Sequence, residues 1–520
     1  MSEKPAFIKA FIKPQGTEIK HINGHWYLYQ RLTKYDPETK RSHKVSGPLL
    51  GTITEEGFIA KKPKVDVSAG AETLEYGAVQ YFYSRSDRMR KELELAFPSL
   101  WEKIYAIAIL RTIYGPRLKR IEMEYEDSIL SVLYPHLALS KGSITQLLRD
   151  IGHERDAMRR FLHAVMEKGS SSYLIDGHRI LASSRGMEDS ERGYDTKMRY
   201  KPQLNVVYSF SLSDESAHPA YYKKYAGSVS DTACFRDFLA EAGIEGDVTI
   251  VADKGFMSSA NADGITDSGL DYIIPLKRGN AAVKGKIPSS PSGYQGTFMF
   301  NGRPVFCSSF PAEDDRRVHL FLDTDLYADE MKDLIARLER GNASIEEKKD
   351  RENNRRSKGK GRLSDEELSR LVPKDVHDVL ASHPDLGTIT IETTRTKLNA
   401  EQVYALYKQR QQIEQCFKAY DDSLGFDSSY MHDDISMEAW LFLNHLSLMM
   451  EYDALSQIYI NGKEKNVSFE DLRQALQKVK AVRVDGRWIP AVRRKKIAEI
   501  ADAVSFDPWT ISLPVHQPKN

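Results

Sequence analysis

The chain has 520 residues, 41% hydrophobic and 10% aromatic, a globular composition too long for one ordinary core and enough for two to four domains. Its 74 lysines and arginines balance 74 aspartates and glutamates, so total charge advertises no polyanionic partner and only local basic patches can. Three cysteines, Cys234, Cys307 and Cys416, stand at wide, unpatterned spacing, which excludes a disulfide framework and a zinc motif.

The opening MSEKPAFIKAFIKPQG has lysines through its apolar run and does not read as a signal peptide. The longest apolar stretch, residues 104–115, is interrupted by Arg111 and too short for a bilayer. A soluble intracellular protein is expected.

Residues 1–65 read as β-rich. HWYLYQRLTKYDPETKRSHKVSGPLLGTI alternates aromatics, turns at DPETK, then runs apolar again, as a hairpin does. Its cations Arg31, Lys34, Lys40, Arg41 and Lys44 interleave with Trp26, Tyr27, Tyr29 and Tyr35. Such a run suits a nucleic-acid surface, and it suits a solvated hairpin equally well.

Residues 70–168 turn helical, a possible DNA-binding domain. Ser143 is the expected N-cap of one helix, and Gly152 the expected break before the next. Most such helix pairs are packing units rather than groove readers.

Residues 170–280 alternate strand and helix. Strands are expected at 173–180, 204–212, near 220–227, at 247–253 and at 271–277, with a helix over 231–244. Residues 281–387 break this order with a β-rich part at 291–324 and a charged run, IEEKKDRENNRRSKGKGR, too poor in apolar residues to pack. They are expected to form an insertion subdomain, a lobe outside the central sheet. TITIETT (388–394) reads as a returning strand and 398–424 as a long helix, completing a split core, 170–280 with 388–450. Residues 451–520 read as a helical, basic C-terminal region, with cations concentrated in 478–496.

Three acids stand out. Asp176 lies in YLIDGHRI, Asp253 closes TIVAD, and Glu414 lies in YKQRQQIEQCFK. Two strand carboxylates and one helix carboxylate, far apart in sequence, suit a two-metal phosphoryl-transfer site, where divalent ions want hard oxygen ligands. Singly, each has a plainer role: Asp176 in a turn with Gly177, Asp253 capping Lys254–Gly255, Glu414 paired with Arg410 or Lys418. In order and on the expected elements, they favour the metal site. His178 reads as sheet packing or as support behind the ligands. No nucleotide-binding glycine motif follows any strand.

Tyr407, Arg410 and Glu414 lie three and four apart on one helix face. Their spacing resembles the Y-x2-R-x3-E signature of DDE transposases of the "insertion sequence four" type. Asp-Gly at 176–177, Asp-Lys-Gly-Phe at 253–256 and GSVSD at 227–231 are similar to that family's motifs, over roughly residues 170–450. The family signature continues x6-K, and here position 421 is aspartate; Lys418 is the nearest cation.

The resemblance implies an RNase H-like mixed sheet with flanking helices, within an α+β, α/β multidomain chain. It implies two Mg²⁺ ions, replaceable by Mn²⁺, held by Asp176, Asp253 and Glu414 as catalytic metal ligands. Tyr407, Arg410, Lys418 and Lys254 become DNA contacts, with Arg410 a bidentate phosphate clamp. The implied activity is cut-and-paste transposition: strand cleavage at element ends, then strand transfer. The implied partners are terminal repeats and target DNA, bound by a homodimer in the cytoplasm at the nucleoid. The alternatives are an RNase H-like nuclease and an inactive DNA-binding descendant of a transposase.

Overall fold

Short apolar runs buried on both faces build the centre of the molecule. In the computed structural model, the described residues are 4–36, 40–55, 57–61, 72–115, 117–166, 170–194, 200–212, 217–358, 360, 362–410, 428–484 and 487–510. They belong to two compact units: residues 1–72 with 483–487, and residues 73–482 with 488–520.

The first unit is a four-stranded antiparallel sheet, β1 (Thr17–Ile22), β2 (His25–Asp36), β3 (Arg41–Thr54) and β4 (Gly57–Ala60), in sequence order. The β2–β3 register runs from Trp26 opposite Ile53 to Asp36 opposite Arg41. Ile8, Leu28 and Ile53 form its small core, and Trp26 stacks on His21. Most of the DPETK turn lies outside the described residues.

The second unit begins with β5 (Thr73–Glu75) and is organised by an eleven-stranded sheet. Its strands are β6 (Ser172–Ala182), β7 (Glu191–Tyr194), β8 (Tyr200–Leu212), β9 (Ala217–Ala226), β10 (Thr249–Ala252), β11 (Asp271–Pro275), β12 (Gly296–Phe300), β13 (Arg303–Pro311), β14 (Arg317–Asp323), β15 (Thr388–Thr393) and β16 (Ser428–Ser429). β10 lies between β6 and β11 and is parallel to both. All four residues of β10 are buried, as parallel strands covered on both faces require. β8 is antiparallel to β6 and carries β9 on its other edge. Helices Asp231–Ala242 and Ser259–Asp267 make the connections into β10 and β11.

The insertion departs from expectation. β15 pairs with β11 on one edge, Ile273 opposite Thr393, and with β14 on the other, Phe321 opposite Ile389. Because both edges of β15 are bonded, the β12–β13–β14 meander continues the central sheet instead of standing outside it. The charged run that follows is helical through Arg356, in a 33-residue helix, Thr324–Arg356, whose buried residues are Leu338 and Glu352.

The helix Asp434–Ile460 packs against helices Trp101–Tyr114 and Lys141–His153 and against β9. Its Phe442 ring meets Phe97 and Phe161. Arg111, fully buried, donates to Asn444. No helix of the described residues is long and apolar enough to cross a membrane.

Three local expectations are corrected. The helix read as capped by Ser143 starts at Lys141, with Ser140 accepting from the Ser143 amide at 3.4 Å. Gly152 stays within that helix, where an added Cβ would lie 2.1 Å from the Ile435 carbonyl oxygen; close packing, not a break, demands glycine. The C-terminal region read as helical is interrupted: between helices Phe469–Gln477 and Lys495–Ala501 its basic stretch forms two strands, β17 (Lys480–Val484) and β18 (Arg487–Pro490), with β17 on β5. Ala481 and Trp488 are the buried residue of each strand, among exposed or half-buried neighbours.

Candidate active site

Register brings the first two acids together. Ala252 of β10 lies opposite Ile175 of β6 in the parallel ladder, so Asp253 and Asp176 follow side by side. The Arg410 guanidinium joins them, with Nη1 donating to Asp176 at 3.0 Å and Nη2 lying 3.7 Å from Asp253. Arg410 is buried, at 9% exposure, so this charge-assisted contact is little screened. Its helix is described over residues 400–410. Tyr407, half-buried on the same helix, places its ring 5.8 Å from the guanidinium carbon. Lys254 is exposed immediately after Asp253. Glu414, Lys418 and Asp421 lie outside the described residues.

The two acids rest on a network not singled out by the sequence reading. Asp231, the first residue of helix Asp231–Ala242, accepts from Arg179 at 3.0 Å and Asn205 at 2.9 Å. Its carboxylate backs onto both acidic turns. A Cβ on Gly177 would lie 3.0 Å from its Oδ1, and one on Gly255 3.4 Å from its Oδ2. The Asp253 turn is fixed further by Thr232, whose hydroxyl donates to the Gly255 carbonyl at 2.6 Å. Asn261 donates to the carbonyls of Thr232 and Phe256. GSVSD carried a signal for Asp231; Arg179 and Asn205 had none, since their partners lie 52 and 26 residues away. His178 is half-buried on β6, opposite Val206.

A second buried cluster anchors the helix of Arg410. Asp323, at the end of β14, accepts from the Tyr404 hydroxyl at 2.5 Å and from Arg303 Nε at 2.9 Å, and pairs with Lys408 at 3.1 Å. Burial alone pushes the Asp323 carboxyl up, but bonds from Arg303, Tyr404 and Lys408 outweigh it and hold the group well below the usual carboxylate range. The meander thus reaches the site through Tyr404 and Lys408.

Hard carboxylate oxygens drawn onto one cation are a donor set of the kind that Mg²⁺ or Mn²⁺ takes. Among the described residues, ligand atoms of three acidic or histidine side chains lie within 4.8 Å of one another in one place, Asp375, His377 and Asp378. These are exposed residues of one helical turn, where Asp375 caps the backbone amides, and they lie apart from the paired acids in sequence and fold.

Among solved structures, a piggyBac transposase synaptic complex with hairpin DNA is similar over 84% of each chain, at 9% identity and a TM-score of 0.37, a likeness too slight to carry weight. No curated protein matches the chain. The family model described as transposase DDE domain matches residues 167–450, from just before β6 into helix Asp434–Ile460. That span is more than half of the chain and holds both paired acids and Arg410. The chain belongs to the DDE transposase domain family.

Proposed function

We propose that the protein is a DNA transposase of the Y-x2-R-x3-E type, cutting phosphodiesters at the ends of its element and joining those ends to target DNA. The observation that carries this reading is the pair Asp176 and Asp253, set on neighbouring parallel strands under one guanidinium. The order β9-β8-β6-β10-β11, three antiparallel strands followed by two parallel ones, supports an RNase H-like core of residues 170–280 and 388–450. Residues 281–387 extend that core, their β12–β13–β14 meander continuing its sheet through β15, and 70–168 and 451–520 hold DNA around it.

Asp176, Asp253 and Glu414, four residues beyond Arg410 in sequence, would hold the divalent ions. When bound, such ions lower the pKa of an attacking hydroxyl and neutralise charge on the leaving oxygen. Arg410 orients the two carboxylates with the two terminal nitrogens of its guanidinium. Lys254 offers a cation to the DNA backbone beside Asp253. Tyr407 backs the guanidinium and limits its rotamers. Duplex DNA is the partner, with two protomers pairing two ends.

The test is a linear substrate carrying the element's own terminal repeats, incubated with the purified full chain in Mg²⁺. Strand cleavage at the repeat ends, abolished by EDTA and restored by Mn²⁺, is expected. Cleavage of any duplex regardless of its ends would make the protein a plain nuclease. Binding to the repeats with no cleavage in either metal would make it a non-catalytic binder.

A further inference from the structure

Helix Lys141–His153 buries Ile144, Leu147, Leu148 and Ile151 and turns Lys141, Thr145 and Arg149 outward. These three fall at i, i+4 and i+8, one stripe along the helix. The stripe lines a cavity of about 340 Å³, and Lys119 lines it too. The buried Ile144, Leu148 and Met431 and the 51% exposed Tyr430 line it as well. Lys119, Lys141 and Arg149 make no ion pair with any acid among the described residues. The acid on the lining, Asp433, is engaged as the cap of helix Asp434–Ile460, accepting from the Ser436 amide at 2.7 Å.

Three exposed cations with no acid partner among the described residues, set around an apolar cleft, suit an anionic partner that also offers apolar surface. Lys141 and Arg149 are eight residues apart, about 12 Å along the helix. A DNA strand places one phosphate per about 3.4 Å of axis, and although the strand path between phosphates is longer than that rise, the stripe is long enough to meet more than one of them. The cleft is also tied to the paired acids. β16 pairs with Leu181 and Ala182 of β6 just before Tyr430, five residues beyond Asp176, or about 17 Å along the strand.

We propose that this cleft is a DNA-backbone dock, in which Lys119, Lys141 and Arg149 grip phosphates of the duplex leaving the Asp176–Asp253 edge and Tyr430 packs on a sugar. The proposal rests on the transposase reading, because it requires DNA as the ligand.

The experiment is fluorescence anisotropy of the full chain with a labelled duplex of about 30 bp across a salt series. Combined Lys119→Ala, Lys141→Ala and Arg149→Ala should weaken binding about 10- to 100-fold near 0.1 M NaCl and reduce the salt slope by about 2 to 3. Tyr430→Ala should weaken binding several-fold with the slope unchanged. Lys119→Arg, Lys141→Arg and Arg149→Lys together should retain wild-type binding, which separates lost contacts from lost folding. Neutralising Lys332, Arg337 and Lys348, exposed on the long charged helix, should have little effect. Equal losses from both alanine sets would reduce the effect to net charge and overturn the dock. So would wild-type affinity and slope in the cleft variant. A wild-type chain that binds no duplex at any salt would instead fail the transposase reading, and the dock with it.

Discussion

Arg410 and Asp176 are joined across 3.0 Å although 234 residues separate them. The same guanidinium reaches toward Asp253, so one buried cation holds two carboxylates that would otherwise repel. Removing it should make the protein lean on divalent metal. Arg410→Ala is expected to lower the melting temperature in EDTA and to gain more from added Mg²⁺ than the wild type does, as mass action requires of a ligand bound by the folded state alone. Thermal melts with and without Mg²⁺ check this; an equal metal response in both proteins would show that Arg410 does not stand in for cation charge.

Gly177 and Gly255 should differ on replacement by alanine. At Gly177 the new methyl meets Asp231 Oδ1 at 3.0 Å, and Arg179 and Asn205 leave that carboxylate little room to move. At Gly255 the contact is an ordinary 3.4 Å. Gly177→Ala is expected to cut the cleavage rate by tenfold or more, in keeping with the cost of small displacements in an oriented site, while DNA affinity is kept. Gly255→Ala is expected to stay within a few-fold of wild type. Single-turnover cleavage assays on both variants decide it.

Asp323 should be more costly to lose than a surface acid. Asp323→Ala strips Lys408 and the Tyr404 hydroxyl of a shared partner and leaves Arg303 with Asp325 alone, and leaving the buried Lys408 charge uncompensated costs about 3–5 kcal/mol. Tyr404→Phe removes one bond to a charged group, about 1.5–3 kcal/mol. Denaturant unfolding should rank the two in that order. Cleavage should fall in both, because the same helix carries Arg410.

Glu75 provides a pH-dependent term. Burial pushes its carboxyl from 4.5 up to about 8, so the folded protein holds it neutral at pH 7 while its Oε1 accepts from the Ala78 amide at 2.8 Å. A pKa raised on folding gives stability that is complete below the unfolded value and is lost as pH rises toward the folded one. The wild type should therefore lose stability between about pH 5 and 8 from this group, and Glu75→Gln should flatten that part of the profile. Melting temperatures at several pH values measure the difference; parallel profiles would remove Glu75 as the cause.

The strands bearing Asp176 and Asp253 were legible because burial on both faces left plain apolar runs, and the helix of Arg410 because its residues keep a helical period. Sheet membership of the β12–β14 meander was not legible. It depends on hydrogen bonds along both edges of β15, and no residue in the meander records them. The β17–β18 hairpin hid behind its cations, because each of its short strands buries a single side chain, Ala481 or Trp488, too few to show as alternation. Asp231 and Arg179 matter at the site through each other and, for Asp231, through Asn205, Gly177 and Gly255, relations that exist in space alone.

The claim that the paired acids perform cleavage while other surfaces hold DNA is tested most directly by Asp253→Asn. The amide keeps the shape of the side chain but removes the charge that makes carboxylate a good ligand for a hard cation. Cleavage of terminal-repeat DNA in Mg²⁺ and affinity for the same DNA should be measured on one preparation. Cleavage should disappear and affinity should stay within a few-fold of wild type. Cleavage at the wild-type rate by Asp253→Asn would contradict the claim.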